Sequence, residues 1–190
     1  MTLPKLVVIS HPEVVVEPDI PITKWGLSDT GRSRAEAFAS SSIMQSVSAI
    51  WSSDERKAAE TADILAKPLG LDVKRNPQLG ENDRSATGFL PPSQFEVAAN
   101  AFFASPNDSF EGWETAKAAQ TRILLAVRSL VYAHDGSDLA IVTHGAVGTL
   151  LWCGLAGENI DRQFDQPRQG NYWYADLQSL HPECGWRSIA

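Results

Sequence analysis

The sequence predicts an α/β layered fold with a mostly parallel central sheet, and three observations carry that prediction. Short apolar runs rich in β-branched residues alternate with stretches of helical periodicity along the chain, as in a sheet covered by helices. Two of those runs, LVVIS and LAIV, are apolar on consecutive rather than alternate residues, as strands buried on both faces must be. The 190 residues, 43% of them hydrophobic, suffice for one substantial core. A single domain over residues 1–190 is therefore expected.

Each element has its own signature. KLVVIS (5–10) reads as a buried strand ending in turn residues, and the proline-rich stretch from Pro12 to Leu27 as a loop. In SDTGRSRAEAFASSSIM, residues Ala35, Phe38, Ala39 and Ile43 recur at helical spacing, with Ser28 or Thr30 available to cap. SAIWSS is a second strand. Ser52 and Glu55 form a capping-box pattern for a helix whose apolar face holds Ala58, Ala62, Leu65 and Leu69 and which Pro68 and Gly70 close. LDVKR reads as a third, more exposed strand, followed by irregular chain from Asn76 to Pro92. Ser93 with Glu96 predicts another helix start, and SPNDS a turn. Ala116, Ala119, Ile123, Val127, Leu130 and Val131 define the longest helix, which ends near HDGSD. LAIVTHG is then a buried strand, AVGTLLWCGLAG a helix closed by Gly157, and NYWYADLQ a late strand; no internal repeat appears.

A formal net charge of −7 disfavours a broad nucleic-acid face. An anionic ligand would have to be held by a concentrated cluster of cations or backbone N–H groups. Cys153 and Cys184 stand far apart without a zinc-ligand pattern and read as cytosolic thiols. Glu13 and Glu17 follow only a short apolar run, unlike a secretory leader, and no stretch approaches the length of a membrane span. The expectation is a cytoplasmic protein without membrane or nucleic-acid partners; the oligomeric state is not legible.

The chemistry centres on His11 and His144, each directly after a buried strand. Ligands of such sheets bind beyond the carboxyl ends of the strands, so two parallel central strands would bring both imidazoles to one edge. His134 and His181 lie in turn-like sequence and read as surface residues. Arg56 and Lys57 fall in the first helical turn after SAIWSS, where cations oppose the helix dipole. Either an anion is nearby, or the pair is solvated beside Asp54 and Glu55.

In order, these segments resemble the histidine phosphatase superfamily, the phosphoglycerate mutase-like fold. VVISHP stands where that family has a strand ending in Arg-His-Gly. LSDTGRSRA (27–35) is similar to its Leu-Thr-x-x-Gly-x-x-Gln-Ala segment, and SSDERKAAETA (52–62) to Ser-Ser-Pro-Leu-x-Arg-Ala-x-x-Thr-Ala. LGE (79–81) matches Leu-x-Glu, and VTHG (142–145) a strand ending in Ser-His-Gly.

The resemblance implies a three-layer α/β/α arrangement and a phosphoryl-transfer site without metal or organic cofactor. His11 would be the nucleophile that becomes phosphorylated, Glu81 the general acid–base, and His144 a hydrogen-bond donor to phosphoryl oxygens. Ser10, Arg56, Lys57, Gly145 and Arg84 are the candidate substrate-binding positions. The departures are Ser10 for the family's first arginine, Pro12 for its glycine and Lys57 for its second arginine. Positioned cations carry much of phosphoryl-transfer catalysis, so the loss at position 10 is expected to lower turnover about ten- to more than a hundredfold unless another cation fills the place. Arg32, Arg56 and Arg84 are the candidates, Arg56 foremost. Pro12 can offer no backbone donor. The expected function is an active or weakly active phosphomonoesterase-like hydrolase working through a phosphohistidine. The alternative is an impaired family member that binds a small phosphorylated or anionic ligand or a protein partner. A phosphoglycerate-type mutase would need a tighter site than the missing arginines allow. Trp25, Phe89 and Trp113 are read as core cover rather than as contacts to an organic group.

Overall fold

The computed structural model describes residues 3–190. Strands β1 (Lys5–Ser10), β2 (Val47–Ser52), β3 (Val73–Arg75), β4 (Asp138–Thr143), β5 (Asn171–Asp176) and β6 (Arg187–Ser188) form one sheet in the order β3-β2-β4-β1-β5-β6. The first four run parallel; β5 is antiparallel to β1, and β6 to β5. Helices α1 (Asp29–Ala39) and α2 (Arg56–Ala66) cover one face, and α3 (Pro92–Ala104), α4 (Ala116–Tyr132) and α5 (Gly145–Ala156) the other.

Strand side chains alternate between the faces. Leu6, Val8, Leu139 and Ile141 pack under α3–α5, while Val7, Ile9, Ala140 and Val142 pack under α1 and α2. Two covered faces are why β1 and β4 are apolar on every residue. Trp173 from β5 is fully buried in the first of these cores.

Register then fixes the site. Ser10 pairs with Thr143, so the next residues, His11 and His144, leave adjacent strands side by side. Ser52 pairs with Val142, and Ser53 N–H donates to the Val142 carbonyl at 3.0 Å, which adds the end of β2 to the same edge. Glu81 arrives from the irregular chain after β3, anchored where Thr143 Oγ1 donates to the Leu79 carbonyl at 2.6 Å.

Several local expectations are corrected. The first helix stops at Ala39, so Ile43 lies beyond it and Met44 is the residue buried instead. The run Ser40-Ser41-Ser42 explains the stop, because serine favours turns over helix interiors; the Ser41 and Met44 N–H groups bond three residues back. Ser28 is the cap, its Oγ accepting from Gly31 N–H at 3.1 Å. The Ser52–Glu55 capping box does not form: α2 begins at Arg56, Ser52 Oγ donates to the Ser53 carbonyl, and Glu55 turns its carboxylate inward. Helix α3 starts at Pro92 rather than Ser93, with proline at the position where its missing N–H is harmless. The two-residue β6 was not expected. Among the described residues, no helix is long and apolar enough to cross a membrane.

Candidate active site

His11 sits in the small polar turn after β1 and is 6% exposed. Its Nδ1 lies 2.9 Å from the Pro12 carbonyl. A carbonyl can only accept, so Nδ1 carries the proton and Nε2 keeps a free lone pair. Burial first, and then the charge of Lys57, lowers the imidazole pKa to about 4, so the ring is neutral at pH 7. Pro12 thus serves as the acceptor that sets the tautomer. Arg34 braces the turn: its guanidinium donates to Glu13 Oε1 at 2.6 Å, to the Gln169 carbonyl at 3.0 Å and to the Gly170 carbonyl at 2.9 Å.

His144 packs edge-on against His11, with ring centroids 5.3 Å apart. It is fully buried, its Nε2 lies 2.9 Å from Ser53 Oγ and its Nδ1 has no partner among the described residues. Burial pushes its pKa well down and keeps it neutral. The ring stands behind His11 and does not line the cavity that His11 opens into.

Glu81 lies across the N-terminus of α5. Its Oε1 accepts from Val147 N–H at 3.0 Å and Oε2 from Ala146 N–H at 3.3 Å. Burial, the largest influence, raises its pKa; the nearby Arg84 opposes that rise and the negative Glu55 adds to it. A carboxyl with a raised pKa next to a nucleophile is suited to donate a proton.

His11, Lys57, Glu81, Asn82, Arg84 and Gly145 line one cavity of about 390 Å³. A larger space of about 1100 Å³, walled partly by Ile20, Phe89 and Glu114, adjoins it. Both are lined by Ile22, Glu81, Asn82, Arg84 and Trp113. Glu81 therefore stands between a small chamber holding the nucleophile and a roomier one. Trp25 and Trp113 are 7% and 4% exposed, so they are core, as expected, yet each also presents an edge to a cavity.

The cations are arranged differently from expectation. Arg56 is the first correction: its Nε pairs with Glu60 Oε1 at 2.8 Å on the surface, its side chain is 55% exposed and it lines neither cavity. One helical step separates it from Lys57, which points inward and is 3% exposed. Arg32 is also claimed by Glu60, at 2.6 Å. Of the three candidates Arg84 reaches the chamber, its guanidinium 5.0 Å above the Phe95 ring and, among the described residues, without an ion pair. Arg162, paired with Glu96 at 2.7 Å, and Arg168 line the same chamber.

Ser10 is the second correction. It is fully buried, with Oγ donating to Gln166 Oε1 at 2.6 Å and accepting from Asn171 N–H at 3.0 Å, so it faces no ligand space. Lys57 lines the chamber, but its ammonium already donates to the Ile22 carbonyl at 3.0 Å and to Glu55 Oε2. Glu55 is a buried carboxylate that the sequence reading left outside the site. Its Oε1 also accepts from Glu81 N–H at 2.8 Å and lies 3.4 Å from His144 Nε2. Burial alone would raise its pKa; the facing His144 and Lys57 and the hydrogen bonds from Lys57 and Glu81 outweigh that and hold it at about 2. Asn82 was also missed: it is 5% exposed, lines the chamber and leaves its Nδ2 without a partner among the described residues. Nothing but its place next to Glu81 could have pointed to it.

Several known proteins are similar to this chain. Phosphoglycerate mutase-like protein 4 of Arabidopsis thaliana is 30% identical over 129 residues, covering 64% of this chain and 56% of the relative. The chain thus spans just over half the length of that relative. A mycobacterial glucosyl-3-phosphoglycerate phosphatase, solved with inorganic phosphate, superposes with a TM-score of 0.81 at 20% identity over 98% of both chains. The alpha-ribazole phosphatase of Shigella flexneri gives 0.77 at 18% identity over 98% of this chain and 97% of its own. At such identities the structural matches establish the fold. The family model of the histidine phosphatase superfamily, branch 1, matches residues 16–175, beginning just after the altered Ser10-His11-Pro12 turn. By sequence over most of its length and by fold, the chain belongs to the histidine phosphatase superfamily.

Proposed function

We propose that the protein is a phosphomonoester hydrolase that works through a phosphohistidine on His11. The observation that carries this reading is the Nδ1 contact to the Pro12 carbonyl, which leaves a neutral Nε2 lone pair at a chamber also lined by Glu81. Nε2 attacks phosphorus as the bond to the ester oxygen breaks, and the Glu81 carboxyl gives that oxygen its proton. Water then attacks the phosphohistidine, giving its proton to the Glu81 carboxylate; phosphate leaves and His11 is restored. The leaving alcohol has room in the larger cavity on the far side of Glu81. Arg84 and the free Asn82 amide supply donors to the phosphoryl oxygens, and His144 supports the His11 ring from behind.

The test is hydrolysis of an aryl phosphate by wild type and by His11→Ala. The wild type is expected to turn over slowly and to yield an acid-labile phosphoryl adduct on His11. The variant is expected at the uncatalysed background with an unchanged melting temperature. Equal rates in the two proteins would remove the hydrolase reading.

A second reading has its own support in the buried Glu55–Lys57 pair, which neutralises the cation at the position of the family's second arginine. On that reading the protein binds a small anionic or phosphorylated ligand without turning it over. Calorimetric binding of a phosphate ester that survives prolonged incubation would favour it.

A further inference from the structure

We propose that Gln166 is an oxyanion-binding residue of this site, its Nε2 amide donor standing where the missing arginine leaves a gap and Ser10 acting as its positioning residue. The proposal rests on the reading that the His11 chamber receives a phosphoryl group. Ser10 Oγ accepts from Asn171 N–H at 3.0 Å, which leaves its own proton for Gln166 Oε1 at 2.6 Å. Asn171 Nδ2 donates to the same oxygen at 3.1 Å. An oxygen that receives two donors fixes the amide orientation, so the NH₂ group points the opposite way.

What lies on that side is Gly145. A Cβ built on Gly145 would come within 2.2 Å of Gln166 Nε2, so a larger residue at the start of α5 would expel the amide. The glycine after His144 therefore makes room for this donor. Gln166, Gly145 and His11 line the same 390 Å³ chamber. Among the described residues Nε2 has no hydrogen-bond acceptor, so both of its protons are free for a ligand oxygen. The serine in the place of the family's arginine thus holds a neutral donor that arrives from the loop before β5.

The experiment is calorimetric titration with inorganic phosphate, together with the rise in melting temperature that phosphate produces. Gln166→Glu keeps the shape and the acceptor toward Ser10 but replaces the donor with a second oxygen; Gln166→Met keeps the length without a donor. Both are expected to weaken phosphate binding by about ten- to a hundredfold. Ser10→Ala is expected to weaken it in the wild-type background and to add nothing once Gln166 is methionine, which a purely structural role would not produce. If both Gln166 variants hold phosphate as tightly as wild type, the assignment falls even where hydrolysis depends on His11. Wild type that does not bind phosphate overturns it as well. If the variants lose binding while His11→Ala leaves hydrolysis unchanged, the oxyanion role stands and the hydrolase reading falls alone.

Discussion

Lys57→Met is expected to destabilise the protein by about 3–5 kcal/mol, because it leaves the Glu55 carboxylate buried without its cation. Glu55→Leu does the converse, stranding a buried ammonium, and is expected to cost a similar amount. The double variant Glu55→Leu/Lys57→Met removes both charges and is expected to recover most of the loss, since a buried ion pair contributes little against apolar residues of similar volume. What it does not recover is the Ile22 carbonyl, which loses the Lys57 donor, and the Glu81 N–H, which loses the Glu55 acceptor. The pH dependence separates charge from packing. In the wild type the Glu55 carboxyl is held at about 2 against an ordinary 4.5. Its stabilising contribution is therefore present above about pH 4.5 and is lost as the pH falls from there toward 2. In Lys57→Met the carboxyl loses the cation that opposes its burial, so its pKa rises above the wild-type position and the variant is relieved by protonation at a pH where the wild type still keeps its pair. The gap between the two proteins should narrow on acidification, as followed by urea unfolding across the pH range. A gap that stays constant with pH, or a double variant no more stable than either single one, would show that charge is not what links the two residues.

The same pair shows where legibility in the sequence ends. His11 and His144 could be placed at one edge because each directly follows a buried strand, and parallel neighbours must present their ends together; the Ser10–Thr143 register does this. In SSDERK, by contrast, acids and bases sit side by side, and which of them faces inward depends on where the helix begins. Each residue turns the helix by about 100°. The capping-box pattern suggested a start near Ser52, whereas the helix begins at Arg56. The helix's buried face, with Ala58, Thr61, Ala62 and Leu65, leaves Arg56 on the opposite side toward Glu60 and Lys57 on its flank toward Glu55. The later start turns Glu55 inward from the residue before the helix. Arg84 lay in irregular chain, where no periodicity constrains direction, and its guanidinium is placed over the Phe95 ring by tertiary packing. Gln166 had no local signal at all: its partner Ser10 is 156 residues away, and loop paths of that range come from tertiary packing rather than from pattern.

Glu81→Gln is expected to lower kcat/KM for an alkyl phosphate by about 10²–10⁴-fold and to reshape the pH profile. The amide keeps the side chain's length and an oxygen for the α5 N–H groups but has no proton to give the departing oxygen. An aryl phosphate, whose leaving group departs without protonation, should be slowed far less, so the ratio of the two losses reports proton donation rather than misfolding. The wild-type profile follows from two shifts of opposite sense. His11 must be neutral to attack, and its pKa of about 4 puts the acid limb there. Glu81 must be protonated to act as acid, and burial raises its pKa. Activity should therefore fall as the pH climbs through that raised value, leaving an optimum between the His11 and Glu81 limbs. The substrate's own second ionisation acts on wild type and variant alike, so an alkaline fall present in one and absent from the other belongs to Glu81. Arg84 supplies an internal check on the sign. Its charge lowers the Glu81 pKa, so Arg84→Met should move the alkaline limb upward even as it weakens substrate binding. A limb that stays in place, or that persists in Glu81→Gln, would assign the proton to another group.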